Sequence, residues 1–491
     1  MIFDLQNILI YLLILPLIGI LSLLFLPSWN DILIKKISLI FSGISFVLSL
    51  LLLIFFNFSQ SKFQFYFNYN WVSNFNFNFI LGIDGISLFF ILLTNLLIFL
   101  CVLISWNSIK HNLKLYFIMF FLLNFFLIGV FCVLDLLLFY IFFESVLIPM
   151  YLIIGFWGSR ARKIRAAYFF FLYTLLGSVL LLLSILYIYY QIGTTDFEIL
   201  STVSFTLKEQ KILWLSFFAS FATKIPMVPV HLWLPEAHVE APTSGSVILA
   251  GILLKLGTYG FIRFLFPLFP QSCYYFSPLV YSIAAISIIY TSLTAIRQTD
   301  FKRIIAYTSI AHMNLVILGL FSFNIVGIEG AILQSLSHGF VASALFAIIG
   351  VVYDRYHTRT VKYYGGLVHI MPIYIIIFLF FTMANIGLPG TGSFVGEFLI
   401  LTGSFQTNIL VTVIGATSMI LGGCYSLWLF NRIAYGNLKT QYIKKFVDLN
   451  KKEFYIFLPL ILGTCFMGLF PNIFLNPIHI SVNLLIQLMQ F

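Results

Sequence analysis

Thr223-Lys224-Ile225-Pro226-Met227-Val228-Pro229-Val230-His231 sets a lysine and two prolines in the middle of an apolar run that extends over about residues 212–236. A second interruption, Ile386-Gly387-Leu388-Pro389-Gly390-Thr391-Gly392, divides another long apolar run, and Glu397 follows it closely. Proline removes a backbone donor and clashes with the preceding turn, and neighbouring glycines remove packing that keeps a helix straight. In a bilayer, broken backbone is tolerated where it lines a cavity or is buried in protein. The two stretches therefore predict two interrupted transmembrane helices rather than loops of a soluble fold.

The rest of the chain agrees. Of its 491 residues, 61% are hydrophobic and 9% are charged. A soluble domain carries roughly 25% charged residues, so an ordinary globular enzyme is excluded. Apolar runs between polar breaks predict fourteen spans, at about 5–27, 37–56, 84–106, 114–134, 136–156, 166–190, 212–236, 242–265, 276–296, 303–323, 326–353, 370–405, 408–432 and 454–475. The expected fold class is all-α, a polytopic membrane protein of about 14 transmembrane helices with two broken helices, spans seven and twelve. These lie five spans apart, an odd offset that reverses membrane orientation. They point to two inverted five-helix repeats, spans four to eight against nine to thirteen. The corresponding domains are 1–112, 113–270, 271–433 and 434–491, the last holding a loop and span fourteen.

The net charge of +10 is read as topology rather than as nucleic-acid binding. Twenty of the 26 Lys and Arg residues fall in the odd-to-even loops, among them Lys302, Arg303, Arg355, Arg359, Lys444 and Lys445. The opposite loops hold Lys62, Lys208, Lys211 and Arg263. Basic loops face the matrix or cytoplasm, which puts both termini on the other side. The five cysteines stand singly in apolar runs, so no metal site, cluster or disulfide framework is indicated. No phosphate-binding loop or dinucleotide fingerprint appears. The first apolar run is too long for a cleavable signal peptide. Asp84, Asp135 and Asp300 read as caps at helix starts.

Six ionisable residues stand in the middle of the bundle: Glu144, Lys224, Lys255, His312, His338 and Glu397. A charge at a helix centre costs roughly 2.5–3.5 kcal/mol on insertion scales, so such groups face protein or water and have partners. A carboxylate beside Lys224 would make its proton affinity depend on one adjustable distance; the alternative is a static ion pair. Lys255, with no acidic residue within two turns, suits proton binding and release, or else snorkels to an interface. His312 and His338 titrate near neutral pH and can relay protons, or are neutral core histidines. Glu397 either exchanges protons with the outer face or caps the second half-helix. His231, Glu236, His238 and Glu240 read as a possible proton entry, as solvated loop residues or, less well matched to known ligand spacing, as a metal cluster.

Residues 219–263, and above all Ala222-Thr223-Lys224-Ile225-Pro226 with Val230-His231-Leu232-Trp233-Leu234-Pro235-Glu236-Ala237-His238-Val239-Glu240-Ala241-Pro242, resemble the antiporter-like membrane-arm subunits of mitochondrial respiratory complex I. Phe142-Phe143-Glu144-Ser145, Leu81-Gly82-Ile83-Asp84-Gly85 and Gly387-Leu388-Pro389-Gly390-Thr391-Gly392-Ser393-Phe394-Val395-Gly396-Glu397 carry the same likeness. The resemblance implies a Glu144–Lys224 pair, a central Lys255, a histidine path through His312 and His338, and an exit carboxylate at Glu397. Sister subunits have lysine at that last position. The chain also ends too soon after span fourteen for the long lateral helix of the largest sister.

It further implies no cofactor in this chain, with FMN, iron–sulfur clusters and ubiquinone held by other subunits. The implied partners are neighbouring membrane-arm subunits, including antiporter-like chains 2 and 5, supernumerary subunits and lipid such as cardiolipin, with no nucleic acid. The implied setting is the mitochondrial inner membrane, both termini on the intermembrane-space side. The function expected is proton translocation driven by quinone reduction elsewhere in an NADH:ubiquinone oxidoreductase. A cation/proton antiporter subunit and a structural membrane scaffold are the alternatives.

Overall fold

The computed structural model describes residues 7–72, 76–439, 441–442 and 447–489; Lys444 and Lys445, counted above among the basic loops, lie outside these, as does the start of the first predicted span. The chain divides into two units. The first comprises Met1–Ile225, Ile252–Ser277 and Asn476–Phe491, and the second Pro226–Gly251 and Pro278–Leu475.

Long apolar helices dominate because within a bilayer every backbone group must be satisfied internally. The first unit begins with α1 (Ile8–Phe25) and α2 (Asp31–Phe55). A hairpin of β1 (Gln64–Val72) and β2 (Phe77–Ile83) follows. Next come α3 (Gly85–Ser108), α4 (Leu113–Cys132), α5 (Leu136–Ser145), α6 (Leu147–Trp157) and α7 (Lys163–Ile192). The short α8 (Phe197–Leu200) leads into α9 (Leu207–Lys224). The chain passes through α10 (Trp233–Glu240) and α11 (Thr243–Ile248) in the second unit and returns as α12 (Leu254–Gly260) and α13 (Phe266–Leu268). Two π-helical stretches, Leu249–Leu253 and Phe261–Leu265, flank α12.

After α14 (Pro270–Arg297), the second unit contains α15 (Phe301–Leu320), α16 (Ile325–Tyr356), α17 (Pro372–Ile386), α18 (Gly392–Thr407), α19 (Ile409–Ala434) and α20 (Lys451–Leu469). The last helix is α21 (Asn472–Met489).

Among the described residues, thirteen helices are long and apolar enough to cross a membrane. Each of the fourteen predicted spans has helical counterparts. Spans seven and twelve drop out of the count of thirteen because they are broken, and α21 enters it. Span seven is α9, a non-helical passage from Ile225 to Leu232 and α10; span twelve is α17, the Gly387–Thr391 turn and α18. Gly387 has φ +87° and Gly390 φ +93°, the left-handed backbone that glycine adopts without a Cβ penalty.

Two features add to the predicted helical fold, a short hairpin and one more helix. The hairpin pairs Phe67 with Leu81 and Tyr69 with Phe79. Its second strand extends the ladder by donation from Leu134 N to Ile80 O. Its aromatic residues favour a strand, yet they had been absorbed into an inter-span loop. Helix α21 fills the tail that had been left after span fourteen; Gly85 lies so near the Pro477 carbonyl that an added Cβ would sit 2.1 Å from the oxygen.

The predicted caps are present. Asp84, Asp135 and Asp300 accept from the backbone N–H of Ser87, Leu138 and Lys302. Outside the spans, burial raises the Asp135 carboxyl above the usual carboxylate range, and a hydrogen bond from Thr195 Oγ1 at 2.6 Å opposes that shift.

Candidate proton-relay site

In the first unit the candidate relay residues stand at the seam between α5 and α6, at the end of α9 and in α12. Helix α5 ends at Ser145 and α6 starts at Leu147, so Glu144 stands beside a seam in what the sequence reads as one span. Lys224 is the last residue of α9, where the partial negative charge of the helix end favours a cation. The Lys224 Nζ lies 3.8 Å from Glu144 Oε1, with the two side chains 3% and 14% exposed. That is an ion pair longer than a hydrogen bond. The ammonium also sits 4.4 Å from the centre of the Phe143 ring, and Nζ makes no hydrogen bond among the described residues.

Lys255 is fully buried in α12, which removes the snorkelling alternative. Its helix packs closely on α9: a Cβ on Gly257 would come within 2.5 Å of Ile225, and one on Gly260 within 2.5 Å of the Phe221 ring. Glycine at both positions lets the Lys255 segment approach the end of the helix that carries Lys224.

The second unit gathers the other three. His312 of α15 and Glu397 of α18 meet at 3.1 Å, Nδ1 to Oε1. Gln334 Nε2 of α16 donates to the same oxygen at 3.0 Å, and Ser337 Oγ donates to Gln334 Oε1 at 3.1 Å. The rings of His312 and His338 lie 5.8 Å apart. Glu397 does not cap its helix, because Thr391 holds the N-cap position and Glu397 lies beyond the first turn. Gln334 and Ser337 were missed in the sequence, although Gln334 stands one turn before His338 on the same helix face.

The possible entry residues do not assemble into one cluster. His231 rests against Tyr290 and Tyr307, while His238 stacks on Phe346 with ring centres 4.5 Å apart. Glu236 pairs with Arg303, and Glu240 lies 3.6 Å from Arg359. Among the described residues, no group of three His, Cys, Asp or Glu side chains is arranged to hold a metal ion.

Three cations assigned to inter-span loops are buried. Arg263 reaches Asp84 at 2.7 Å and donates to the Tyr259 hydroxyl at 3.1 Å. Lys302 donates to Ala241 O at 2.7 Å and Ser246 Oγ at 3.2 Å. Arg359 is 0% exposed and lies 3.7 Å from Asp300. Their positions near span ends are as read. What the sequence did not reveal was that each is enclosed by partners far away in the chain, the condition for keeping a charge out of water.

The residues 133–427 match the family described as NADH:quinone oxidoreductase/Mrp antiporter, TM. The chain is 58% identical over 476 residues to NADH-ubiquinone oxidoreductase chain 4 of Marchantia polymorpha, covering 97% of this chain and 96% of that one. It is 58% identical over 472 residues to the Arabidopsis thaliana protein of the same name, covering 96% and 95%. Among solved structures it is similar to a chain of respiratory complex I from Thermus thermophilus with bound NADH, with TM-score 0.88, 29% identity and coverage of 98% and 99%. An interrupted-helix membrane protein with buried lysines and a match of this extent has one reading: the chain belongs to the NADH:quinone oxidoreductase/Mrp antiporter family, among the NADH-ubiquinone oxidoreductase chain 4 proteins.

Proposed function

We propose that this chain is a core membrane subunit of a proton-translocating NADH:ubiquinone oxidoreductase. Protons cross the mitochondrial inner membrane by way of Glu144, Lys224, Lys255, His312, His338 and Glu397, driven by quinone reduction elsewhere in the complex. The names of its relatives support the assignment to that enzyme. The observation that carries the relay itself is the Glu144–Lys224 pair, held at 3.8 Å beside helix breaks on both partners.

Two unit charges about 4 Å apart attract by about 4 kcal/mol at an effective dielectric constant near 20, and by about 2 kcal/mol at roughly 7 Å. Moving one charge against 100 mV costs about 2.3 kcal/mol. Opening the pair by a few ångströms thus costs about 2 kcal/mol and weakens the hold of Lys224 on its proton by that amount, a change of the same size as one transfer step. As the pair separates, Lys224 loses stabilisation as a cation and passes its proton toward Lys255. Relay through the histidines then brings a proton to Glu397 for release.

The repeats at 113–270 and 271–433 divide the path into two halves. The basic loops face the matrix and the termini the intermembrane space, with His231 and His238 at the proton entry. The chain binds no cofactor of its own; FMN, iron–sulfur clusters and ubiquinone belong to other subunits. Its neighbours are membrane-arm subunits, including antiporter-like chains 2 and 5, together with supernumerary subunits and lipid such as cardiolipin.

The test is Lys255→Ala in the assembled complex: proton transport per NADH falls while electron transfer persists. Undiminished transport overturns the central role of Lys255. NADH-dependent quinone reduction by the purified assembly separates this reading from a cation/proton antiporter, which has none.

A further inference from the structure

A small cavity in the second unit takes no part in the relay described above. It is lined by five buried polar side chains, Thr308, Thr382, Asn385, Tyr425 and Ser426, and closed by apolar ones that include Leu345 and Phe378. Its free volume for a water centre is about 10 Å³, close to what a single buried water requires, and such a water needs two to four polar partners. The hydroxyls of Thr308, Thr382 and Ser426 donate to carbonyls of their own helices, at Ile305, Leu379 and Gly422. Their lone pairs are left to accept from a water, the Asn385 amide supplies a donor to it, and the Tyr425 oxygen can accept from it while its own proton faces away.

The cavity has a direction. In the second unit the start of α15, the end of α16, the start of α17 and the end of α19 lie at one end, where Asp300 bridges Thr360 and where Lys302, Arg303, Arg355 and Arg432 stand within the terminal turns of these helices. At 1.5 Å per residue, Thr308 lies about 10 Å along α15 from that basic end, and His312 about 16 Å. The cavity therefore stands between the basic end and the His312–Glu397 contact. Thr308 and His312 share one face of α15, a turn apart. His312 Nε2 is buried with no hydrogen-bond partner among the described residues. Glu397 turns its Oε2 toward Gly387, where an added Cβ would sit 2.9 Å from that oxygen, two residues beyond Asn385 of the cavity wall.

From this placement we infer that the second unit has a proton inlet of its own. One water, held by Thr308, Thr382, Asn385 and Ser426, carries protons from the basic end through the Tyr425 hydroxyl to Glu397, without passage through Lys255. The hop is balanced. A proton arriving at the water goes to the Tyr425 oxygen as the phenol's own proton leaves toward Glu397, so the phenol and the water end as they began. The inference rests on the reading of Glu397 as a relay group.

The experiment is proton translocation per NADH oxidised, followed with a pH-sensitive dye in vesicles containing the assembled complex with Tyr425→Phe, Thr308→Val or Glu397→Gln. The ratio is corrected for assembly and for electron transfer, so a purely structural role for Tyr425 leaves it unchanged. Loss of translocation per NADH in all three variants is expected. A parental ratio for Tyr425→Phe beside a lowered one for Glu397→Gln overturns the inlet and leaves the relay standing. A parental ratio in all three overturns the relay and the inlet with it. If Tyr425→Phe does not assemble, Thr308→Val decides, since it removes one partner of the water and keeps the side-chain shape.

Discussion

The carboxylates at the two ends of the proposed relay are held in opposite ways. In the first unit Glu144 faces a full positive charge at 3.8 Å, and the lysine's ammonium has an aromatic ring as its other close neighbour. In the second unit Glu397 has two contacts on one oxygen, an amide at 3.0 Å and an imidazole at 3.1 Å, with Gln334 itself tied to Ser337. The first arrangement is strong at long range and loose in geometry. The second is short, directional and built from groups that are neutral or weakly basic. A pair beyond hydrogen-bond distance changes its energy smoothly as it opens. A hydrogen-bonded cluster is made or broken over a few tenths of an ångström and fixes where a proton can sit. The first suits coupling to movement, and the second suits holding a proton in place.

Breaking the pair gives the largest effect. Lys224→Met leaves Glu144 buried without its cation, which for buried pairs costs 3–5 kcal/mol, roughly the scale seen when one partner is removed. The thermal unfolding midpoint of the complex is expected to fall, and the double variant Glu144→Leu with Lys224→Met is expected to recover most of that loss without recovering proton transport. Recovery of transport by the double variant would count against the adjustable pair.

Next in size is a change of backbone spacing in the second unit. A Cβ at Gly396 would come within 2.8 Å of Gln334 backbone and side-chain atoms, and overpacking of this kind costs about 1–3 kcal/mol. Gly396→Ala is expected to push α18 away from α16 and to lower stability and transport together. If stability falls but transport per NADH does not, the tight cluster is not needed in its observed geometry.

Glu397→Gln is gentler on the fold. The amide oxygen can accept from both Gln334 and His312, so stability is expected to change by less than about 1.5 kcal/mol, the ordinary worth of a hydrogen bond, while proton transport is lost. A large stability loss with transport intact would assign Glu397 a structural part.

The smallest effect concerns Asp135, which lies outside the spans and serves as a control. Burial raises its carboxyl, so the folded state favours the neutral form. Its contribution to stability is fully present below the unfolded carboxylate range and is lost as pH rises through the folded one. Asp135→Asn, which keeps a side-chain oxygen for the cap on Leu138 N, is therefore expected to raise the unfolding midpoint slightly at pH 7 and to lose that advantage near pH 4, as read by thermal unfolding across this window.

Apolar runs, proline and glycine positions and the rarity of charge within spans were enough to read the helical class, the two breaks and the six internal ionisable residues. These are local properties: a span must be long and apolar, a break needs residues that end helices, and a charge in hydrocarbon is conspicuous wherever it stands. Partnership is not local. That Gln334 shares Glu397 with His312, that Arg263 closes on Asp84, or that Arg359 and Lys302 are buried depends on residues tens to hundreds of positions apart meeting at hydrogen-bond or ion-pair distance. The hairpin of β1 and β2 was likewise decided by folding, because two short strands gain their stability from pairing and from the segment they cover. Sequence named the charges; only three-dimensional packing chose their counterparts.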